Sequence, residues 1–347
     1  MDKVKLGFVG CGFMGQMAHL SNFVESEKCE VVALAEKRRS LRDKVAQKYH
    51  ISRVYSTHEE LCQDKEIDAV VEITSDALHS PIAIDLMNAG KHVFTEKPMA
   101  TNLADATKMV EASEKNKVKL VIGYMKRYDP GVEKAKKSIG HFEKTKEMGK
   151  VTFIRSHCFE GDWICNIGEP IRTDEEYPRV AKAVFPEWLP PEFHKEFKYF
   201  NNVYCHNINL LRFLLKKKMK VKEVYFTEST KVVLFDMEGI ATTLETGDIS
   251  ANFWDEELKV YYEDGWVELI ASPPLLKNVP ARLRVYKAGR IQEIIESYLP
   301  WDWSFRRANE DFLDCILRDR ESRSSGKDSL EDVRIVEEIF KKYMMSF

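Results

Sequence analysis

Val4-Lys5-Leu6-Gly7-Phe8-Val9-Gly10-Cys11-Gly12-Phe13-Met14-Gly15 decides the fold of this 347-residue chain. An apolar run of strand length ends on Gly10-Cys11-Gly12-Phe13-Met14-Gly15, a complete G-x-G-x-x-G, and Met14–Ser26 carries on with helical periodicity. Between a strand and a helix each glycine has a reason. The first makes the tight turn, the second lets backbone approach a pyrophosphate, and the third lets helix and strand pack closely. The helix start adds N–H groups and the positive end of a dipole. Glu30–Ala35 (EVVALA) reads as a second buried strand. Glu36, at its end, stands about twenty residues past the loop, where an acid hydrogen-bonds the adenosine ribose of a dinucleotide. Glu36 favours NAD, because a carboxylate repels a 2′-phosphate. Lys37, Arg38 and Arg39 follow it and leave NADP open.

Outward from this unit the pattern repeats. Arg38–Tyr49 reads as helix, Ala69–Thr74 (AVVEIT) as strand, His79–Ala89 as helix and His92–Thr95 as strand. Leu103–Lys117 reads as helix with Asn102 as its N-cap, and Lys119–Gly123 as another strand. Continuous Val/Ile runs separated by helices indicate a parallel sheet covered on both faces. Residues 1–125 are therefore expected to form a Rossmann domain, a doubly wound α/β sheet. After Tyr128-Asp129-Pro130 the periodicity becomes alternating. Val151–Phe159, Glu223–Phe226, Ile240–Thr246, Ser250–Trp254, Leu258–Tyr262, Trp266–Ile270 and Arg282–Tyr286 read as strands, with Glu238-Gly239, Asp264-Gly265 and Ala288-Gly289 turns. Helices are expected at about Asn201–Lys216, Ser304–Leu317 and Leu330–Met344. Residues 126–347 are expected to form a second α/β domain with a large, mainly antiparallel sheet, its last helix free to pack back on the first.

Composition narrows the function classes. The chain has 53 Lys+Arg against 56 Asp+Glu, a net charge of −3, with 44% hydrophobic residues. That excludes disorder for the bulk of the chain and offers no basic excess for nucleic acid. No apolar run reaches the ~20 residues that span a bilayer, and the N-terminus has no signal-peptide pattern. The seven cysteines form no CxxC pair, so neither a disulfide framework nor a structural zinc site is expected. H-E-x-x-H, clustered Cys/His and G-x-S-x-G are all absent, so neither a metal nor a serine-hydrolase site is expected. Cytoplasm is the expected compartment, with no nucleic-acid or membrane partner.

Two further motifs carry a family resemblance. Glu96-Lys97-Pro98 closes the strand His92–Thr95, and Gly123-Tyr124-Met125-Lys126-Arg127-Tyr128 marks the exit from the first domain. With the glycine loop and the Asp76–Ile82 segment holding His79 and Pro81, the chain resembles the glucose–fructose oxidoreductase/inositol dehydrogenase (Gfo/Idh/MocA) family. The resemblance is strong over residues 1–130, moderate beyond, and weak in Gly161–Pro191. It implies a catalytic Lys97 preceded by Glu96 beside the cofactor, and an active-site helix usually written Asp-x-x-x-His. This chain has Asn202-Val203-Tyr204-Cys205-His206-Asn207-Ile208-Asn209 there. His206 matches the family histidine, while Asn202 and Asn209 stand where acids are common. The resemblance also implies a homo-oligomer, dimer or tetramer, through the second domain's sheet.

Oxidation of a secondary hydroxyl needs hydride transfer to a nicotinamide and removal of the hydroxyl proton. A histidine begins near neutrality and suits the proton step. A lysine stabilises a developing alkoxide. Lys97, His206 and Asn202 are the candidate catalytic residues. Cys11, Phe13 and Met14 of the loop, the three glycines, Glu36, Thr74, His79, Glu96 and Lys97 are candidates for the cofactor. Arg127, Tyr124, Trp163 and Asn209 are candidates for a sugar-like substrate. The expected activity is NAD(P)-dependent oxidation or reduction at a hydroxyl of a sugar, polyol or glycoside. Two alternatives stay open: a cofactor-binding sensor without turnover, and NAD-dependent glycoside cleavage by transient oxidation.

Overall fold

The computed structural model describes residues 3–179, 182–249 and 252–346. The chain begins with β1 (Val4–Val9), a π-helical turn Gly15–Leu20 that continues into α1 (Ser21–Val24), β2 (Cys29–Ala35), α2 (Arg39–Tyr49), β3 (Arg53–Tyr55) and α3 (His58–Cys62). Next come β4 (Ala69–Glu72), α4 (Asp76–Asn88), β5 (His92–Thr95), α5 (Leu103–Asn116) and β6 (Leu120–Ile122). They are followed by α6 (Pro130–Thr145), β7 (Val151–Glu160), α7 (His194–Val203) and α8 (Cys205–Leu215). Seven strands then run from β8 (Lys220–Phe226) through β9 (Thr230–Met237), β10 (Ile240–Asp248), β11 (Asp255–Tyr262), β12 (Gly265–Ile270) and β13 (Arg282–Ala288) to β14 (Gln292–Glu296). The chain ends in α9 (Ser304–Leu317) and α10 (Gly326–Met344).

Two compact units form, and both are discontinuous. The first gathers residues Met1–Tyr124, Gly168–Asn202 and Phe305–Val333; the second takes Met125–Ile167, Val203–Ser304 and Arg334–Phe347.

In the first unit six parallel strands run in the order β3-β2-β1-β4-β5-β6. The order reverses at β1/β4, the switch point where open α/β sheets bind ligands beyond the strands' carboxyl ends. β1, β4 and β5 are almost wholly buried, which is why they read as unbroken apolar runs. Phe8, Phe23, Phe94 and Phe312 fill the core, with Phe8–Phe23 and Phe94–Phe312 in edge contact. Each such ring contributes about 1.5–3 kcal/mol by burial. Asn102 caps α5 as its sequence predicts, accepting from the Asp105 amide at 2.8 Å.

The second unit holds eight strands in the order β14-β13-β12-β11-β7-β10-β9-β8. All pairs are antiparallel except β7–β10, which is parallel. Three sequence expectations change here. The Ser250–Trp254 run is not a strand over its described residues 252–254; β11 starts at Asp255, and Trp254 turns in to donate to Glu256 at 3.0 Å. The single helix expected at about Asn201–Lys216 is two, α7 and α8, which meet at Tyr204 (φ −88°, ψ −3°). α6 starts where only a boundary was expected, with Asp129 accepting from the Gly131 and Val132 amides and Pro130 at its first position, both strong helix-start signals.

Among the described residues no helix is long and apolar enough to cross a membrane, and no three metal-ligating side chains converge.

Candidate active site

At the carboxyl ends of β1, β2 and β4 the first unit opens a cleft of about 290 Å³. Gly10, Gly12, Glu36, Arg38, Thr74 and Tyr177 are among the residues that line it. Gly10 has φ +85°, and a Cβ there would stand 2.4 Å from the Ile73 carbonyl oxygen. A Cβ on Gly15 would press on the Gly10 carbonyl at 3.1 Å. Gly12 differs: no protein atom lies within 4 Å of where its Cβ would be. The fold thus holds two of the glycines in place, while the third leaves open space in the lining of the cleft. An NAD pyrophosphate fits that arrangement. Cys11 is buried with its thiol against Glu36, and burial first, then the Glu36 charge, pushes that thiol well above its ordinary range. Met14 packs on the core below the loop, and Phe13 is half-buried beside it.

Glu36 lines the cleft, but its carboxylate is engaged. Oε1 accepts from Arg38 N at 3.1 Å and Nε at 2.9 Å; Oε2 accepts from Arg38 Nη2 at 3.0 Å and from Cys11 N at 3.3 Å. Burial pushes the Glu36 carboxyl up, and the Arg38 guanidinium and amide, with Cys11 N, outweigh it and hold it below the usual carboxylate range.

The next strand ends carry more acids. Glu72 is fully buried and accepts from the Thr74 amide at 3.0 Å and from the hydroxyls of Thr74 and Thr95. Thr74 lines the cleft with its hydroxyl turned to Glu72. Glu96 is buried too. It accepts from His19 Nε2 at 2.8 Å and from the Lys97 amide at 3.0 Å, and His19 Nδ1 faces Asn309 Oδ1 at 3.0 Å. A Cβ on Gly123 would meet Glu96 at 2.9 Å, so glycine there makes room for this carboxylate. His79 is buried with Nδ1–H donating to the Pro98 carbonyl at 2.8 Å, which braces the Lys97-Pro98 turn, a cis peptide.

Lys97 Nζ donates to both the main-chain oxygen and Oδ1 of Asn202, each at 2.7 Å. The structure thus brings two of the three candidate catalytic residues together. The third, His206, is the second residue of α8 in the other unit and is buried. Asn201, which the sequence reading passed over, donates to the Ala100 carbonyl at 3.2 Å and ties α7 to the loop after Pro98.

The candidate substrate residues are spread out. Arg127 is 2% exposed; its Nε donates to Asn209 Oδ1 at 2.6 Å and its guanidinium lies 5.1 Å from the Phe213 ring centroid. Arg127 and Asn209 brace each other inside the second unit. Tyr124 is buried at the end of the first unit. Trp163 is exposed, its carbonyl accepting from Leu275 N at 3.2 Å. Beside Arg127, Lys126 Nζ pairs with Glu256 at 2.5 and 2.7 Å, and Glu256 also accepts from Asn207 Nδ2 at 2.9 Å and Trp254 Nε1 at 3.0 Å. Residues that far apart in sequence carried no signal of convergence.

A six-stranded doubly wound unit with a glycine cradle at its switch point, followed by a large antiparallel sheet, defines a dinucleotide-binding α/β protein. Residues 4–124 match the model of the oxidoreductase family with an NAD-binding Rossmann fold. That stretch belongs to the family, the glucose–fructose oxidoreductase/inositol dehydrogenase group, and forms an NAD-binding Rossmann domain; the chain as a whole is similar to inositol dehydrogenases of the group. It is 31% identical over 251 residues to myo-inositol 2-dehydrogenase of Thermotoga maritima, covering 72% of this chain and 65% of that protein. It is 28% identical over 234 residues to inositol 2-dehydrogenase of Salmonella typhimurium, covering 66% of this chain. The match spans about 60% of that relative's length. The fold superposes on scyllo-inositol dehydrogenase from Lactobacillus casei, solved with NAD(H) and scyllo-inositol, with a TM-score of 0.73 over 98% of this chain and 97% of that one, at 18% identity.

Proposed function

We propose that the chain is an NAD(P)-dependent oxidoreductase that transfers a hydride between a nicotinamide cofactor and a secondary hydroxyl of a polyol or sugar, acting in the cytoplasm as a homo-oligomer. One observation carries the reading. The Lys97 ammonium is held by Asn202 just beyond the carboxyl end of β5, in the same unit as a glycine cradle whose second glycine the fold itself does not need. The inositol dehydrogenases among its relatives support a cyclic polyol as substrate class.

A bound nicotinamide supplies the hydride acceptor; this chain supplies the rest. Gly10 to Gly15 and the helix start beyond them hold the pyrophosphate. Lys97 donates to the reacting oxygen and stabilises charge developing on it. His206 takes the hydroxyl proton. Asn202 holds the Lys97 ammonium without neutralising it, since an amide carries no charge.

Incubating the protein with NAD and a panel of inositols, sugars and glycosides tests this. NADH formation supports the proposal. Sugar release without net NADH supports glycoside cleavage instead, and NAD binding with neither supports a sensor. Lys97→Ala and His206→Ala should each lower kcat by about 10²-fold or more while NAD still binds. Full turnover by His206→Ala would assign the proton to another group. Asn202→Asp would place a carboxylate on the ammonium and favour its charged form, so the alkaline limb of the rate profile should move to higher pH. An unmoved limb would separate Asn202 from the Lys97 charge.

A further inference from the structure

The segment 168–179, which the sequence places far from the glycine loop, is fastened at three points to the helical segment after that loop, to α2 and to Arg38, and its end lines the cofactor cleft. Ile171 exchanges two hydrogen bonds with the Gln16 side chain, Ile171 N to Oε1 at 2.8 Å and Gln16 Nε2 to Ile171 O at 3.1 Å. Glu175 places Oε1 on Ser40 N at 3.1 Å and Oε2 on Leu41 N at 3.2 Å, with the Thr173 hydroxyl on Oε2 at 3.0 Å. The Tyr177 ring lies under the Arg38 guanidinium at 4.8 Å.

Two groups near Glu36 are suited to holding a 2′-phosphate. One is the Arg38 guanidinium, and the other is the N-terminal amide set of α2, which starts three residues after Glu36. Both already hold an internal carboxylate. Glu36 takes Arg38 in a two-pronged pair, and Glu175 takes the first amides of α2. Those amides, with Ser40 N foremost, hold the Glu175 carboxyl below its usual range, so it stays an anion at neutral pH. The remaining cations have other settings. Arg39 faces Asp43 at 3.7 Å, while Lys37 and Arg179 line the cleft.

We infer that Glu175 is a specificity-determining residue that, with Glu36, fills the anion-holding positions beside the adenosine ribose and selects NAD against NADP. The inference rests on the cleft being the dinucleotide site. A 2′-phosphate would have to displace Glu175 from α2 or stand beside it. Like-charge repulsion from a carboxylate about 4 Å away weakens a bound phosphate by roughly five-fold or more in affinity.

Calorimetric titration of the full chain with NAD and with NADP tests it, using wild type, Glu175→Gln, Glu175→Ala and Glu175→Asp. Wild type should bind NAD at least about tenfold tighter than NADP. Glu175→Gln and Glu175→Ala should each raise the NADP-to-NAD affinity ratio by roughly five-fold or more, and Glu175→Asp, which keeps the charge, should restore selectivity. Titration with 2′,5′-ADP and 5′-ADP should show the same pattern without the nicotinamide half. An unchanged ratio in Glu175→Gln and Glu175→Ala makes the residue a helix cap only and overturns the inference. Wild type binding NADP as tightly as NAD overturns it too. If the folded protein binds neither dinucleotide, the cofactor reading fails and the inference with it.

Discussion

Gly10 and Gly12 look alike in the sequence and do different things. Gly10 is held by the fold: φ +85° and the Ile73 carbonyl 2.4 Å from a would-be Cβ leave no place for a side chain. Gly12 is free of both constraints. Gly12→Ala should therefore leave the unfolding midpoint nearly unchanged, within about 0.5 kcal/mol, while weakening NAD by at least about tenfold, because the methyl enters the space the pyrophosphate needs. Gly10→Ala should lower stability by more than 1–3 kcal/mol, the usual cost of a strained residue. Denaturant unfolding and calorimetry on the two variants check both statements. Unchanged NAD affinity in Gly12→Ala would move the pyrophosphate elsewhere. The motif itself was legible because glycine spacing records backbone geometry directly. The partners of Glu36 were not: four residues' worth of acid and base, Glu36-Lys37-Arg38-Arg39, gives no sign of which cation folds back onto the acid.

At the scale of elements, His19, Glu96 and Asn309 join the helical segment after the glycine loop, the end of β5 and α9 through one buried contact chain. Burial pushes the Glu96 carboxyl up, and the His19 hydrogen bond and charge, with Lys97, outweigh it and hold it below its ordinary value near 4.5. A carboxyl depressed in the folded state contributes stability above its unfolded pKa and loses it as pH falls through the folded value. His19→Phe leaves Glu96 buried without its main donor. It should destabilise by about 3–5 kcal/mol, the cost of breaking a buried pair, and acid unfolding should begin at higher pH than in wild type. Circular dichroism across a pH series reads this; an acid midpoint unchanged by the substitution would show that Glu96 is not held by His19. None of this chain was legible in sequence, since a polar residue on a helix's buried face looks like a break in its apolar pattern. The parallel strands were legible for the opposite reason: β1, β2, β4 and β5 are mostly apolar and buried on both faces. β9 alternates buried and half-buried positions and was passed over, as was β14, whose exposed residues leave no alternation to read.

At the scale of the whole molecule, periodicity reports which face of an element is covered but not by what. That is why neither the membership of residues 168–202 in the first unit nor the parallel β7–β10 pair inside the second sheet could be read from the chain. The same limit applies to surfaces that a single copy leaves uncovered. β14 ends the eight-stranded sheet and exposes Ile294 and Ile295, with Ile291 before it and Tyr298 and Trp301 beyond, the last 86% exposed. A sheet edge carrying several large apolar side chains is an association site, because unpaired strand groups and apolar surface both favour a second strand or face. The homo-oligomer proposed for this protein would cover that strip. Light scattering coupled to size exclusion should then give a multiple of the monomer mass. Ile294→Lys combined with Trp301→Glu, which places charges on a face already open to water in the single chain, should shift the population toward monomer with little change in the unfolding midpoint of each copy. A wild-type chain that runs as a monomer at micromolar concentration would leave β14 an uncovered edge and remove this strip as the contact. If the double variant keeps the oligomer, the contact lies on another face.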